Sequence, residues 1–158
     1  EKIMFREIRR KDKELSDKEI SAILEECTHG ILSVKGDNGY PYGVPVSYVY
    51  ANGKIYFHCA PTGHKLDAIE TEPKVSFSIV SKDIVIPEKY STNFASIIAF
   101  GKARVIKDFD EMKKAHISFI EKYSNDFYDG GIKYMNSSAG KMVMVEITID
   151  HITGKGTK

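Results

Sequence analysis

The sequence predicts an α+β domain, a small and mostly antiparallel β-barrel with peripheral helices, and three observations carry that reading. Apolar residues alternate with period two through much of the stretch from Ile31 to Ile149, the mark of half-buried strands. An Asn52-Gly53 dipeptide joins two of these alternating runs, and it tolerates the two positive φ angles of a tight hairpin turn. Strand and helix do not alternate regularly, which argues against a doubly wound parallel sheet. About six short strands would leave raw edges unless the sheet closed on itself, so a barrel is the economical arrangement.

The elements follow in order. Ser16-Asp17-Lys18-Glu19 is a capping box, in which the serine hydroxyl and the glutamate carboxylate satisfy each other's orphan amides. Ile20, Ile23, Leu24 and Cys27 follow at helical spacing, and Gly30 stands where that helix could end. Ile31 to Val34 reads as a strand and Gly36 to Gly39 as a turn. Val44, Val46, Tyr48 and Tyr50 alternate toward the Asn52-Gly53 turn, and Ile55, Phe57 and Cys59 alternate on the return. Pro61 to Lys65 breaks the strand, and His64 to Glu70 forms a short helix that Pro73 closes. Val75, Phe77 and Ile79 make another strand, Ser81 to Asn93 a long loop without period, and Phe94 to Ile106 a long strand bent at Gly101. A second helix opens at Asp108 with Glu111 completing its cap, and its stripe runs Met112, Ala115, His116, Phe119, Ile120, Tyr123. Asn125 to Gly140 is turn-rich, Met142 to Ile149 is a final strand, and His151 to Lys158 is a polar tail.

The 158 residues suit a single domain spanning the chain, and the 42% hydrophobic content is enough for a core. Lys plus Arg number 23 against 22 Asp plus Glu, a balance that gives no reason to expect nucleic acid or a membrane as partner. No apolar run reaches the roughly 20 residues that cross a bilayer. The stretch from Glu1 to Leu15 is charged and has no apolar core, unlike a secretory leader. Two cysteines, Cys27 and Cys59, are too few for a disulfide scaffold and fit a reducing cytoplasm.

Few side chains assemble into recognisable chemistry. His58 and Cys59 are neighbours on a strand and face opposite sides, so with His64 they make no metal set, and no metal is expected. Neither cysteine has the context of a catalytic nucleophile. Thr62-Gly63-His64-Lys65 is more informative, because it places a hydroxyl, a glycine, the first amides of a helix and a cation at a strand-to-helix junction. That combination could hold an anion such as a phosphate, against the commoner reading of a glycine turn beside a solvated lysine. The N-terminal basic residues Arg6, Arg9, Arg10, Lys11 and Lys13 are interrupted by acids and read as a salt-bridged, solvated segment.

Read in succession, several segments form a pattern: Arg9-Arg10-Lys11-Asp12, Gly30-Ile31-Leu32-Ser33, Tyr42-Gly43-Val44-Pro45-Val46-Ser47-Tyr48, Ile55-Tyr56-Phe57-His58-Cys59-Ala60, Gly63-His64-Lys65-Leu66-Asp67 and Thr92-Asn93-Phe94-Ala95-Ser96. From about Arg9 to about Lys155 the chain resembles the nitroimidazole-resistance (Nim) branch of the pyridoxamine 5′-phosphate oxidase-like flavoproteins. The resemblance implies an FMN-binding split β-barrel that forms a homodimer, with two FMN sites at the subunit interface. Lys65, with His64 and Thr62 beside it, would hold the flavin phosphate. Pro45, Val46 and Ser47 would run along the ring and ribityl chain through their backbone groups, and His58, Cys59 and Ala60 would line the adjacent strand. Asn93, Ser96 and Ile97 would reach across from the partner, and the ending Ile152-Thr153-Gly154-Lys155 would approach the pocket. True pyridoxamine 5′-phosphate oxidases carry an Arg-x-His cluster near the C-terminus, and this chain has none. The resemblance therefore implies reduction of a nitro-aromatic or similar small electrophile rather than oxidation of pyridoxamine phosphate. The alternative on the same barrel is a non-catalytic flavin- or haem-type binding protein acting as sensor or carrier.

Overall fold

Ser16 starts α1 (Asp17–Glu26): its hydroxyl accepts from the Glu19 amide at 3.2 Å, while the Glu19 carboxylate accepts from the Ser16 amide at 3.2 Å. Ile20, Ile23 and Leu24 are the buried face of this helix. The computed structural model describes residues 4–158; Glu1 to Ile3, the start of the charged N-terminal stretch, lie outside the described residues. Gly30 does not end α1 but lies inside β1 (His29–Lys35), where a Cβ would overlap the Phe77 ring.

β1 is followed by β2 (Pro41–Ser47), β3 (Val49–Ala51), β4 (Lys54–Cys59), α2 (His64–Thr71), β5 (Lys74–Ile86) and β6 (Ser91–Ile106). α3 (Phe109–Tyr123), α4 (Tyr128–Ser137) and β7 (Val143–Gly156) complete the chain. The seven strands form one antiparallel sheet in the order β2-β1-β5-β6-β7-β4-β3. The Asn52-Gly53 hairpin joins β3 and β4, with φ of 54° and 74° at its two turn residues.

Three stretches differ from the sequence reading. Ser81 to Asn93 is not a loop, because β5 and β6 pair all the way to Ile86↔Ser91. A bulge between Val80 and Lys82 resets the alternation, and the arm beyond it projects past the core with both faces wet, which erases the period. The turn-rich segment contains α4, whose Gly130-Gly131 pair masks it. The polar tail is the second half of β7: a bulge at Phe100/Gly101 lets the strand continue, pairing Ile98 with Thr153 and Ser96 with Lys155. At that bulge a Cβ on Gly101 would overlap the Thr148 carbonyl.

The edge strands β2 and β3 are separated in the chain by Tyr48 alone. Two virtual bonds span no more than about 7.6 Å, so the sheet must curl until its two edges meet at this residue. Away from the corner the edges are not paired with each other, so the sheet does not close, consistent with the split barrel that the resemblance implied. Tyr48 is fully buried, and its hydroxyl donates to the Leu24 carbonyl at 2.7 Å. The carbonyls around it are held from α3: Lys122 Nζ donates to the Cys27 carbonyl, and Tyr123 Oη lies 2.7 Å from the Thr28 carbonyl and also against that of Tyr48. The Lys122 ammonium also sits 4.3 Å from the Tyr48 ring centre, a cation–π contact.

Inside the curl, Leu32, Ile55, Phe57, Phe77, Ile79, Ile97, Val145 and Ile147 form the main core, which α1 and α2 cap. α3 covers a second cluster on the outer face, where Met112, Ala115 and Phe119 meet Val49, Tyr56 and Met144. Beside it the Glu146 carboxylate accepts from Tyr56 Oη at 3.0 Å and pairs with Lys54 and Arg104 at 3.3 Å each. Burial pushes the Glu146 pKa up, but the tyrosine bond and the two cations outweigh it and hold it below normal. The same contact helps burial push the Tyr56 phenol up to about 12.

Removing the corner hydroxyl tests this arrangement. Tyr48→Phe should lower stability by about 1 kcal/mol, since the Leu24 carbonyl loses its buried donor. Chemical denaturation giving an unchanged midpoint would show that the corner does not depend on this bond.

Candidate functional site

A curled sheet with unpaired edges leaves a slot beside its corner. β2 pairs with β1 on one side only. The pairing of β4 with β3 stops at Val49↔Tyr56, so from Phe57 to Cys59 the strand is bonded only to β7. Extending that register past Tyr48 would set Ser47 opposite His58, Val46 opposite Cys59 and Pro45 opposite Ala60. No ladder forms there, and backbone donors and acceptors of both strands face the gap. Pro45 suits such an edge because it brings no amide that would need a ladder partner.

The slot leads to the start of α2. Gly63 precedes this helix at φ 154° and no side chain caps it, so its first amides are free. Thr62 is exposed and Lys65 half-buried. Burial pushes the Cys59 thiol up, and the Lys65 ammonium acts against that shift. Free amides, a hydroxyl and a lysine therefore stand within four residues of each other where the slot meets α2, a donor set that fits a phosphate monoester. The His64 ring lies 4.1 Å from that of Tyr42, and its Nε2, 3.7 Å from the Asp37 carboxylate, has no hydrogen-bond partner among the described residues.

Within one chain β6 does not reach this slot, being separated from β2 by β5 and β1 and from β4 by β7. Asn93 is exposed on the projecting arm and Ser96 is half-buried. Ile97 is 1% exposed in the main core, so its side chain is not available to a ligand; the alternation that made 96–97 a strand also fixes which residue faces inward. Among the described residues no group of three or more His, Cys, Asp or Glu side chains is placed to hold a metal ion. No helix of the described residues is long and apolar enough to cross a membrane.

On the other side of Ser47 and His58 lies a cavity of about 530 Å³ that the sequence reading missed. His116 and Phe119 of α3 and Gly130 and Tyr134 of α4 form its other walls, and none of its lining residues is Lys, Arg, Asp or Glu. The His58 ring lies 4.9 Å from Phe119 and 6.2 Å from His116, nearly parallel to the latter. His116 is 6% exposed and its Nε2 has no hydrogen-bond partner among the described residues. Burial lowers both imidazole pKa values, and for His116 the neighbouring His58 adds to the effect. The available signals were a histidine inside an apolar stripe and aromatic residues flanking a glycine pair.

The pyridoxamine 5′-phosphate oxidase family matches residues 16–156. The chain belongs to this family. Among solved structures of the same fold, a protein named for 5-nitroimidazole antibiotic resistance from Bacteroides thetaiotaomicron is 21% identical with a TM-score of 0.75, over 90% of this chain and 85% of the other. A conserved hypothetical protein from Mycobacterium tuberculosis gives 0.81 at 19% identity, over 95% and 90%. An FAD-binding protein from Mesorhizobium loti gives 0.68 at 20% identity, over 92% and 98%. No curated protein matches the sequence. At these identities the structural likenesses show the oxidase-family fold alone, a split barrel built on an unclosed sheet.

The two imidazoles make stability depend on pH. Their folded pKa values lie below the ordinary 6.5, so the unfolded chain protonates first. Their contribution is complete above about pH 6.5 and is lost as pH falls through that value toward the lowered folded pKa. The melting temperature should therefore drop as the pH is taken from about 7.5 to 5, and His116→Phe should flatten that slope. Parallel profiles for the two proteins would contradict the assignment.

Proposed function

We propose that this member of the pyridoxamine 5′-phosphate oxidase family is an FMN-binding oxidoreductase that acts as a homodimer on small electrophilic aromatic molecules, nitro-aromatics of the nitroimidazole type among them. The observation that carries the reading is the slot itself, whose unpaired strand edges lead to the uncapped start of α2 and Lys65. Its donors suit a ligand with a flat polar ring at one end and a phosphate at the other.

The chain's own residues have distinct tasks here. Lys65, Thr62 and the first α2 amides hold the phosphate as a charge-assisted contact. The backbone of Pro45 to Ser47 and of His58 to Ala60 offers donors and acceptors along the ring edge, fixing its orientation. FMN, if held there, would supply the redox chemistry for reducing the acceptor.

Self-association follows from the outer face of β1, β5 and β6. Ile31, Ile98 and Phe100 are exposed there, and Val80 and Val85 continue that face along the arm. A second copy covering this face would bring Asn93 and Ser96 toward the partner's slot.

The first experiment is the visible spectrum of the purified protein, repeated on the supernatant after denaturation. A flavin double band with FMN released supports the reading; a colourless protein that takes up no added FMN overturns it. Lys65→Ala should weaken FMN binding by roughly tenfold or more, the loss of a hydrogen bond to a charged group, with the melting temperature little changed. Sedimentation of the flavin-loaded protein should give a dimer, and a loaded monomer would refute the shared site.

A further inference from the structure

α4 contains two adjacent glycines in a ten-residue helix, each costing about 1 kcal/mol relative to alanine. Gly131 has a packing reason, since a Cβ there would come within 2.9 Å of Ile120 on α3. Gly130 has none: its Cβ would meet nothing within 4 Å, and its φ is not in the left-handed region. Neither backbone conformation nor internal packing explains this residue. It forms part of the cavity wall, so the space a side chain would take is space in the cavity.

We propose that the cavity between α3 and α4 binds a neutral, planar aromatic molecule whose face lies against the bare backbone at Gly130. The ring walls are Phe119, Phe127 and Tyr134, groups that favour offset or edge-on contact with a flat ligand. The volume of about 530 Å³ suits a small organic molecule. Charge sets the class more sharply than shape does. With no cation in the lining, a carboxylate or phosphate would lose its hydration and find no counter-charge. The polar anchor is His58, which is exposed on the cavity wall with its ring stacked on that of the buried His116, and a ligand hydroxyl, nitro or carbonyl group supplies it with a hydrogen-bonding partner. That Ser47 and His58 wall both this cavity and the slot makes the occupant the electron acceptor, and this role, though not the binding itself, rests on the function proposed above.

Matched probes test the inference. 2-Naphthol and 2-naphthoate share a ring system and differ in charge at neutral pH. Titrated into the purified protein and followed by the NMR signals of the five histidines, 2-naphthol should shift two ring systems, those of His58 and His116. 2-Naphthoate should bind at least about tenfold more weakly, for want of a counter-charge. Gly130→Leu should weaken 2-naphthol roughly tenfold by filling the wall while leaving the flavin absorbance unchanged. Gly130→Ala should raise the melting temperature and weaken 2-naphthol by a smaller factor, which keeps the test alive if the leucine variant misfolds. Equal binding of the two probes, no binding of 2-naphthol, or unaltered 2-naphthol affinity in the folded glycine variants would overturn the inference. A colourless protein that still binds 2-naphthol at these histidines would instead sink the flavin reading and leave the cavity's specificity standing.

Discussion

A single residue between two edge strands governs the shape of this molecule. Because β2 and β3 stand at opposite ends of a seven-stranded order and only Tyr48 separates them, the sheet cannot lie open. It also cannot close, because the corner brings the edges together at one point and they diverge from there. A buried tyrosine suits this corner: its ring packs edge-on against Phe77 with centres 5.3 Å apart, and its hydroxyl reaches the Leu24 carbonyl at the end of α1. Burial pushes that phenol's pKa well up, so it remains a donor.

The site follows from that geometry. The strands β2 and β4 leave the corner with unsatisfied backbone edges, and the chain then turns through Gly63 into α2. Ser47 and His58, immediately beside the corner, are shared between the slot and the cavity under α3 and α4. Two recesses of different character therefore adjoin across a thin wall. One ends in a cation and free amides, and the other is aromatic and uncharged. Under the proposed function the polar recess holds the phosphorylated cofactor and the apolar one admits a neutral reactant beside it.

Local chemistry made most of this legible in the sequence. The capping box at Ser16, the Asn52-Gly53 turn and the alternation from Ile55 to Cys59 are short-range signals, and each stands in the structure where it was read. The run from Val44 to Tyr50, read as one strand, is instead broken at Tyr48 into β2 and β3. The junction at Thr62 to Lys65 could be recognised because glycine and a helix start identify themselves locally. Features decided by distant partners were hidden. The arm of β5 and β6 has no buried face to impose a period, and the bulges opposite Gly101 and after Val80 invert the alternation of the residues beyond them. The aromatic cavity needs α3, α4 and the sheet together, and its helix α4 carries two of the poorest helix formers. Splitting rather than closure came only from the resemblance and not from local pattern, since it depends on one residue's position in a strand order that no local window contains.

The fastening of Tyr48 to α3 bears on how the chain reaches its native state. The hairpins that make β1 with β2 and β3 with β4 join residues close in sequence, and such elements form in microseconds. The bonds from Lys122 and Tyr123 to the carbonyls of Cys27, Thr28 and Tyr48 span 74 to 95 residues. Contacts of that separation carry the heaviest loop-closure entropy and form after local structure has reduced the search. The width of the slot is thus fixed late in folding, by a helix that belongs to neither of the strands lining it, and a nascent chain ending before Lys122 holds every strand edge of the slot without the clasp that sets their spacing.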